Sequence, residues 1–142
     1  MNSERSTVKY PKRFKQSFLF NGLVRHNHIS PMDIDMFIDY GGHSFFYGEG
    51  KSAGVELTKG QEYAIENIIK SHSKAGHPSI YIVFEHLILN PNSPVIVKDQ
   101  IVKKIYYTVK NITCKWRYFN SERTVLDLIN WWENKEKLKI KK

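Results

Sequence analysis

The sequence predicts an α/β domain built on a central mixed sheet flanked by helices. Three observations carry this expectation. Two strand-like runs, 33–40 and 43–51, meet at a Gly41-Gly42 turn. A helical pattern over 58–75 opens on Thr58-Lys59-Gly60-Gln61, the spacing of a capping box. A short, wholly apolar run over 80–84 then has the look of a strand covered on both faces. Strand 44–49, helix 58–75 and strand 79–85 together form a βαβ unit with parallel strands.

The remaining elements follow in chain order. Residues 1–13 form a basic arm, with Pro11 near its end. The spacing of Phe14, Phe18, Leu19 and Leu23 predicts a short helix over 14–24, packed on the body. Residues 25–31 are a polar connector into the hairpin. In helix 58–75 the apolar stripe is Ala64, Ile65, Ile68, Ile69 and His72, while Glu62, Glu66, Lys70 and Lys74 are expected to face out. The helix stops near Ala75-Gly76, with Pro78 beyond. Residues 95–97 and the alternating stretch 101–109 are candidates for further strands. A second helix is expected over 124–132, with Thr124 and Asp127 as its N-terminal signals and Val125, Leu128, Ile129 and Trp132 turned inward. Trp131 and Trp132 read as packing residues rather than a base-stacking platform.

Composition narrows the function. A chain of 142 residues with 41% apolar and 13% aromatic side chains is expected to be one folded domain, 1–142, and not a disordered segment. The net charge of +8 is unevenly placed. Residues 1–15 carry Arg5, Lys9, Lys12, Arg13 and Lys15 against Glu4, and the tail 135–142 carries Lys135, Lys137, Lys139, Lys141 and Lys142 against Glu136. The body between them is balanced, so all of the excess positive charge lies on the two ends. Basic ends suit a polyanion, and Lys9, Lys12, Arg13, Lys15 and Arg25 are the candidate nucleic-acid contacts. Solvated termini that keep the protein soluble would carry the same charge. Cys114 is the only cysteine, which excludes an intramolecular disulfide and a cysteine-rich zinc site. No signal peptide and no apolar run of membrane-spanning length is evident. The expected location is the reducing cytoplasm, with no membrane partner.

The chemistry concentrates at the hairpin. Side chains at i and i+2 of a strand share a face, so Glu49 and Lys51 project together. The hairpin brings Asp35 beside them. Two carboxylates and an ammonium at one sheet edge can hold Mg²⁺ and polarise a water for phosphodiester hydrolysis. Asp35 is preferred to its competitor Asp33 because Met36-Phe37-Ile38 follows it, the apolar continuation of a strand entering the core. Gly48 and Gly50 are expected to let a phosphate approach the backbone closely. A Glu49–Lys51 surface ion pair is the bland alternative. Convergence of His26, His28, His43 and His86 on zinc is disfavoured. One of His26, Asn27 or His28 could touch phosphate or a metal-bound water, and simple polar loop residues are the alternative.

Asp35, then Glu49-Gly50-Lys51, then a capped helix and a buried strand, resemble the PD-(D/E)XK nuclease superfamily, in detail the small nucleases of phages and mobile elements. The likeness covers about residues 30–86. It implies a restriction-endonuclease-like αβββαβ core and a Mg²⁺-dependent deoxyribonuclease in a bacterial or phage-infected cell, with Mn²⁺ able to substitute. It implies catalytic roles for Asp35, Glu49 and Lys51, and metal ligation by Asp35, Glu49 and the Gly50 carbonyl. Gln61, Asp33 and His28 would support the site, although Gln61 is equally placed to complete the capping box. The implied partner is duplex or branched DNA, and paired cuts would suit a homodimer. Gly50 departs from the pattern, which usually carries an apolar residue between Glu and Lys. The alternative is an inactive nucleic-acid-binding or host-defence-inhibiting protein on the same fold.

Overall fold

The hairpin forms where its glycines require it. Gly41 and Gly42 have φ of +64° and +78°, conformations that residues with a Cβ adopt at a cost. Asp39 Oδ1 accepts the Gly42 N–H at 2.6 Å and closes the turn. This computed structural model describes residues 18–110 and 113–138, His28 by its backbone alone. The chain divides into two units, Met1–Asp33 with Ile140–Lys142, and Ile34–Lys139.

In the larger unit the order is β1 (Met36–Asp39), β2 (Phe45–Ser52), α1 (Lys59–Lys74), β3 (Ser79–His86), β4 (Ile101–Val109), β5 (Thr113–Tyr118) and α2 (Val125–Lys135). The strands form one mixed sheet in the order β1-β2-β3-β4-β5. Only β2 and β3 run parallel, with α1 between them in sequence; the other neighbours are antiparallel. The α/β class and the βαβ unit are as expected. Among the described residues two strands precede α1, where an αβββαβ core has three. Residues 95–97 form no strand, because the chain after Pro94 bends into a single 3-10 turn at Val97–Asp99. Strand β5 was not expected, although its Thr113, Lys115 and Arg117 alternate with Cys114, Trp116 and Tyr118 as the two faces of a strand do.

Alternation along the strands builds two layers. Phe46, Ile80, Ile82, Phe84, Val102, Ile105 and Tyr107 meet Val125, Leu128 and Trp132 of α2. The opposite face carries Tyr47, Glu49, Tyr81 and Val83 against α1, where Ile65, Ile69 and Ser73 are buried. Both helices begin with complete capping boxes, Thr58 with Gln61 and Thr124 with Asp127. Trp132 is fully buried and its indole N–H donates to Ser44 Oγ at 3.0 Å, while Trp131 meets Tyr107 edge-on at 5.6 Å. Both therefore pack, as expected.

Glu62 and Glu66 do not simply face out. A β-bulge shifts the β3–β4 register between Val83 and Phe84. It leaves Lys103 and Lys104 on the α1 side together, whereas unbroken alternation would separate them. Lys104 Nζ then reaches Glu62 at 3.4 Å, and the Trp116 indole N–H donates to Glu66 at 2.8 Å.

In the smaller unit the expected helix over 14–24 is absent from its described part, residues 18–24. Gly22, at φ +80°, takes a turn instead, and the Leu23 N–H donates to the Phe20 carbonyl at 3.1 Å. Residues 14–17, with the candidate contacts Lys9, Lys12, Arg13 and Lys15 and the end of the basic tail, lie outside the described residues. Among the described residues no helix is long and apolar enough to cross a membrane.

Candidate active site

β1 starts at Met36, paired with Gly48, so β2 runs on through Glu49, Gly50 and Lys51 with no strand on that side among the described residues. The Tyr40 N–H bonds to the Ser44 carbonyl, which makes the even-numbered residues of β2 the ones whose backbone groups face β1. At Gly50 that partner is missing. Asp35 Oδ2 takes its place and accepts the Gly50 N–H at 2.8 Å. The Gly50 carbonyl leaves the strand on the same side as its N–H, and so faces the same open edge. The carboxylate of Asp35 is thereby fixed beside the strand segment that carries Glu49 and Lys51.

Glu49 is 6% exposed and lies on the α1 face, in register with Val83 of β3. Next to it is Tyr81, fully buried, whose hydroxyl has no hydrogen-bond partner among the described residues. Burial raises the Tyr81 pKa, and the negative charges of Glu49 and then Asp35 raise it further. Tyr81 stacks on Tyr47 with ring centres 5.2 Å apart, and the Tyr47 hydroxyl is hydrogen-bonded to His72 Nε2 at 2.7 Å. These rings form an aromatic wall beside Glu49.

Lys51 is half-buried and lies in register with Glu85. Among the described residues it has no carboxylate within 4.0 Å, so the Glu49–Lys51 ion pair does not form. Glu85 is engaged elsewhere. It accepts the Gly54 N–H at 3.1 Å and pairs with Lys103 at 3.7 Å, tying the loop after Lys51 to the end of β3. Sequence reasoning missed Glu85; its signal was a single acidic residue closing the apolar run 80–84.

Three expectations are corrected or refined here. At Gly48 and Gly50 the space of a missing Cβ is taken by neighbouring side chains on the α2 face. A Cβ on Gly50 would lie 2.7 Å from Cε2 of Phe84, and one on Gly48 would lie 3.0 Å from Cε of Met36. Both are packing glycines, and Phe84 supplies the apolar bulk that Gly50 lacks. Gly50→Ala is therefore expected to destabilise the protein by about 1–3 kcal/mol through overpacking, read as a lower urea midpoint. Gln61 uses its side-chain carbonyl to accept the Thr58 N–H at 3.0 Å, so its visible role is the capping box. Asp33 and Arg25 are exposed residues of the smaller unit, and the side chain of His28 is outside the described residues.

Asp35, Glu49 and the Gly50 carbonyl make a set of hard oxygen donors. Mg²⁺ commonly uses one or two carboxylates and fills its remaining positions with water and substrate phosphate, so this donor set fits it. Among the described residues no group of three or more His, Cys, Asp or Glu side chains could hold a metal, so a cation here would rest on these two carboxylates and the backbone. No protein-family model, curated protein or solved structure matches this chain.

Proposed function

We propose that the chain is a divalent-cation-dependent endonuclease of the PD-(D/E)XK type that hydrolyses phosphodiester bonds in DNA. The observation that carries this reading is the 2.8 Å bond from Gly50 N–H to Asp35. It holds an exposed carboxylate against the Glu49-Gly50-Lys51 segment, beside an ammonium without an ion-pair partner among the described residues.

Asp35, Glu49 and the Gly50 carbonyl would hold Mg²⁺ or Mn²⁺, which when bound supplies Lewis acidity at the scissile phosphate and lowers the pKa of a coordinated water. Lys51 projects from the same face as Glu49, where its ammonium orients the attacking water and offsets charge that builds on the phosphoryl oxygens. Water attacks phosphorus, the ester P–O bond breaks, and the departing oxygen takes up a proton. Buried Tyr47 and Tyr81 exclude bulk solvent from the floor, which strengthens each of these charge interactions.

The test has two readouts. Wild-type protein is expected to nick or cut supercoiled plasmid with Mg²⁺ or Mn²⁺ and to stop when EDTA is added. Calorimetric Mn²⁺ binding without DNA is expected to weaken about tenfold or more in Asp35→Asn and in Glu49→Gln, since each removes one of two anionic ligands. Unchanged Mn²⁺ affinity in both variants would sink the proposed site. Mn²⁺ binding without cleavage would leave a cation-binding module in place of an enzyme.

A further inference from the structure

A second constellation lies on the other face of the sheet. In β5, Arg117 is in register with Ile105, whose side chain faces α2, so Arg117 projects on the α2 side and away from Glu49. There it lines a cavity of about 150 Å³ with Phe119, Arg123, Asp127, Leu128 and Trp131. Both guanidinium carbons lie over the Phe119 ring, at 5.2 Å for Arg117 and 5.9 Å for Arg123.

Neither arginine has a carboxylate within 4.0 Å among the described residues, although Asp127 lines the same cavity. Lys103, Lys104 and Lys135 each have such a carboxylate partner. Asp127 is held away by its own cap, with Oδ2 accepting the Thr124 N–H at 3.0 Å. Lys115, two residues before Arg117, adds a third cation on the same face of β5. Two planar cations sharing one ring repel each other unless an anion joins them, and their forked N–H groups match phosphate oxygens.

The rest of the lining narrows the anion. Inorganic phosphate has no use for an aromatic wall or for a carboxylate, which would repel it. A nucleotide uses all three features. Its phosphate suits Arg117 and Arg123, its flat base suits Trp131, and the N–H donors on the base edge suit Asp127. We propose that this cavity binds one nucleotide, with phosphate between the two arginines and the base against Trp131. The site is separate from Asp35, Glu49 and Lys51, and it stands whether or not the chain cleaves DNA.

The experiment is run in EDTA, so that cleavage plays no part. Deoxyguanosine 5′-monophosphate is expected to quench tryptophan emission saturably, and Trp131→Phe to remove most of the quench. Arg117→Ala and Arg123→Ala are each expected to weaken binding about tenfold or more, the scale of one charge-assisted contact. Arg117→Lys, which keeps the charge and loses the fork, is expected to fall between. Both side chains are exposed, so thermal midpoints should hold and a loss of binding is not a loss of fold. Fluorescein-labelled single-stranded DNA separates the two sources of nucleotide. A parallel loss of strand affinity in the arginine variants assigns the cavity to a strand, whereas strand affinity that holds while the mononucleotide is lost assigns it to a free nucleotide. Equal mononucleotide affinity in wild type and both alanine variants overturns the proposal. So does inorganic phosphate competing as tightly as the nucleotide.

Discussion

Lys51→Ala is expected to lower metal-dependent plasmid cleavage by about a hundredfold or more while the protein remains folded, the scale of one lost transition-state contact. The structural side of this expectation is specific. Lys51 is half-buried and makes no ion pair among the described residues, so its removal leaves no carboxylate orphaned. Glu85, its register partner, keeps Gly54 and Lys103. The unfolding free energy from urea titration should therefore change by under about 0.5 kcal/mol, as for a substitution that breaks no buried contact. Mn²⁺ affinity should hold or rise slightly, because a positive charge near two carboxylates is removed. Lost cleavage with retained fold and retained cation binding is a pattern that general destabilisation cannot produce. Cleavage at the wild-type rate would place the chemistry elsewhere.

The largest stability effect is expected at Trp132. Trp132→Ala removes a fully buried indole at the centre of the α2 layer, and such truncations cost about 3–5 kcal/mol. It also leaves Ser44 Oγ, 1% exposed, without the indole N–H that now donates to it. An unsatisfied buried hydroxyl adds about 1 kcal/mol or more. Small domains hold about 5–15 kcal/mol in total, so the variant should lose about a quarter or more of its stability. Urea unfolding followed by circular dichroism checks this, with the slope expected to stay constant. Trp132→Phe, which keeps most of the apolar volume, should cost markedly less. Equal losses in the two variants would mean that the Ser44 contact, and not packing, carries the effect.

What could be read from the sequence was whatever depends on near neighbours. The Gly41-Gly42 turn, both capping boxes, the apolar stripe of α1 and the buried run of β3 are patterns written within a few residues. Local backbone preference is enough to reveal them. The helix expected over 14–24 failed in its described part for a local reason too, since Gly22 takes a positive φ that ends the helical path.

Cross-strand neighbours were settled only by the tertiary structure. Strand alternation tells which face a side chain takes, not what lies beside it. Glu49 and Lys51 could be put on one face from their spacing alone. That Asp35 bonds the Gly50 N–H follows from where β1 begins, which the register of a hairpin fifteen residues across decides. Phe84 filling the space at Gly50, and Glu85 standing opposite Lys51, follow from the parallel β2–β3 register set across helix α1. Lys103 and Lys104 share a face because of a bulge that no composition announces. Arg117, Arg123 and Trp131 converge because β5 and α2 close on one side of the sheet. The sequence by itself determined which residues could do chemistry. Long-range pairing, whose energy is spread over the whole sheet, decided which of them meet.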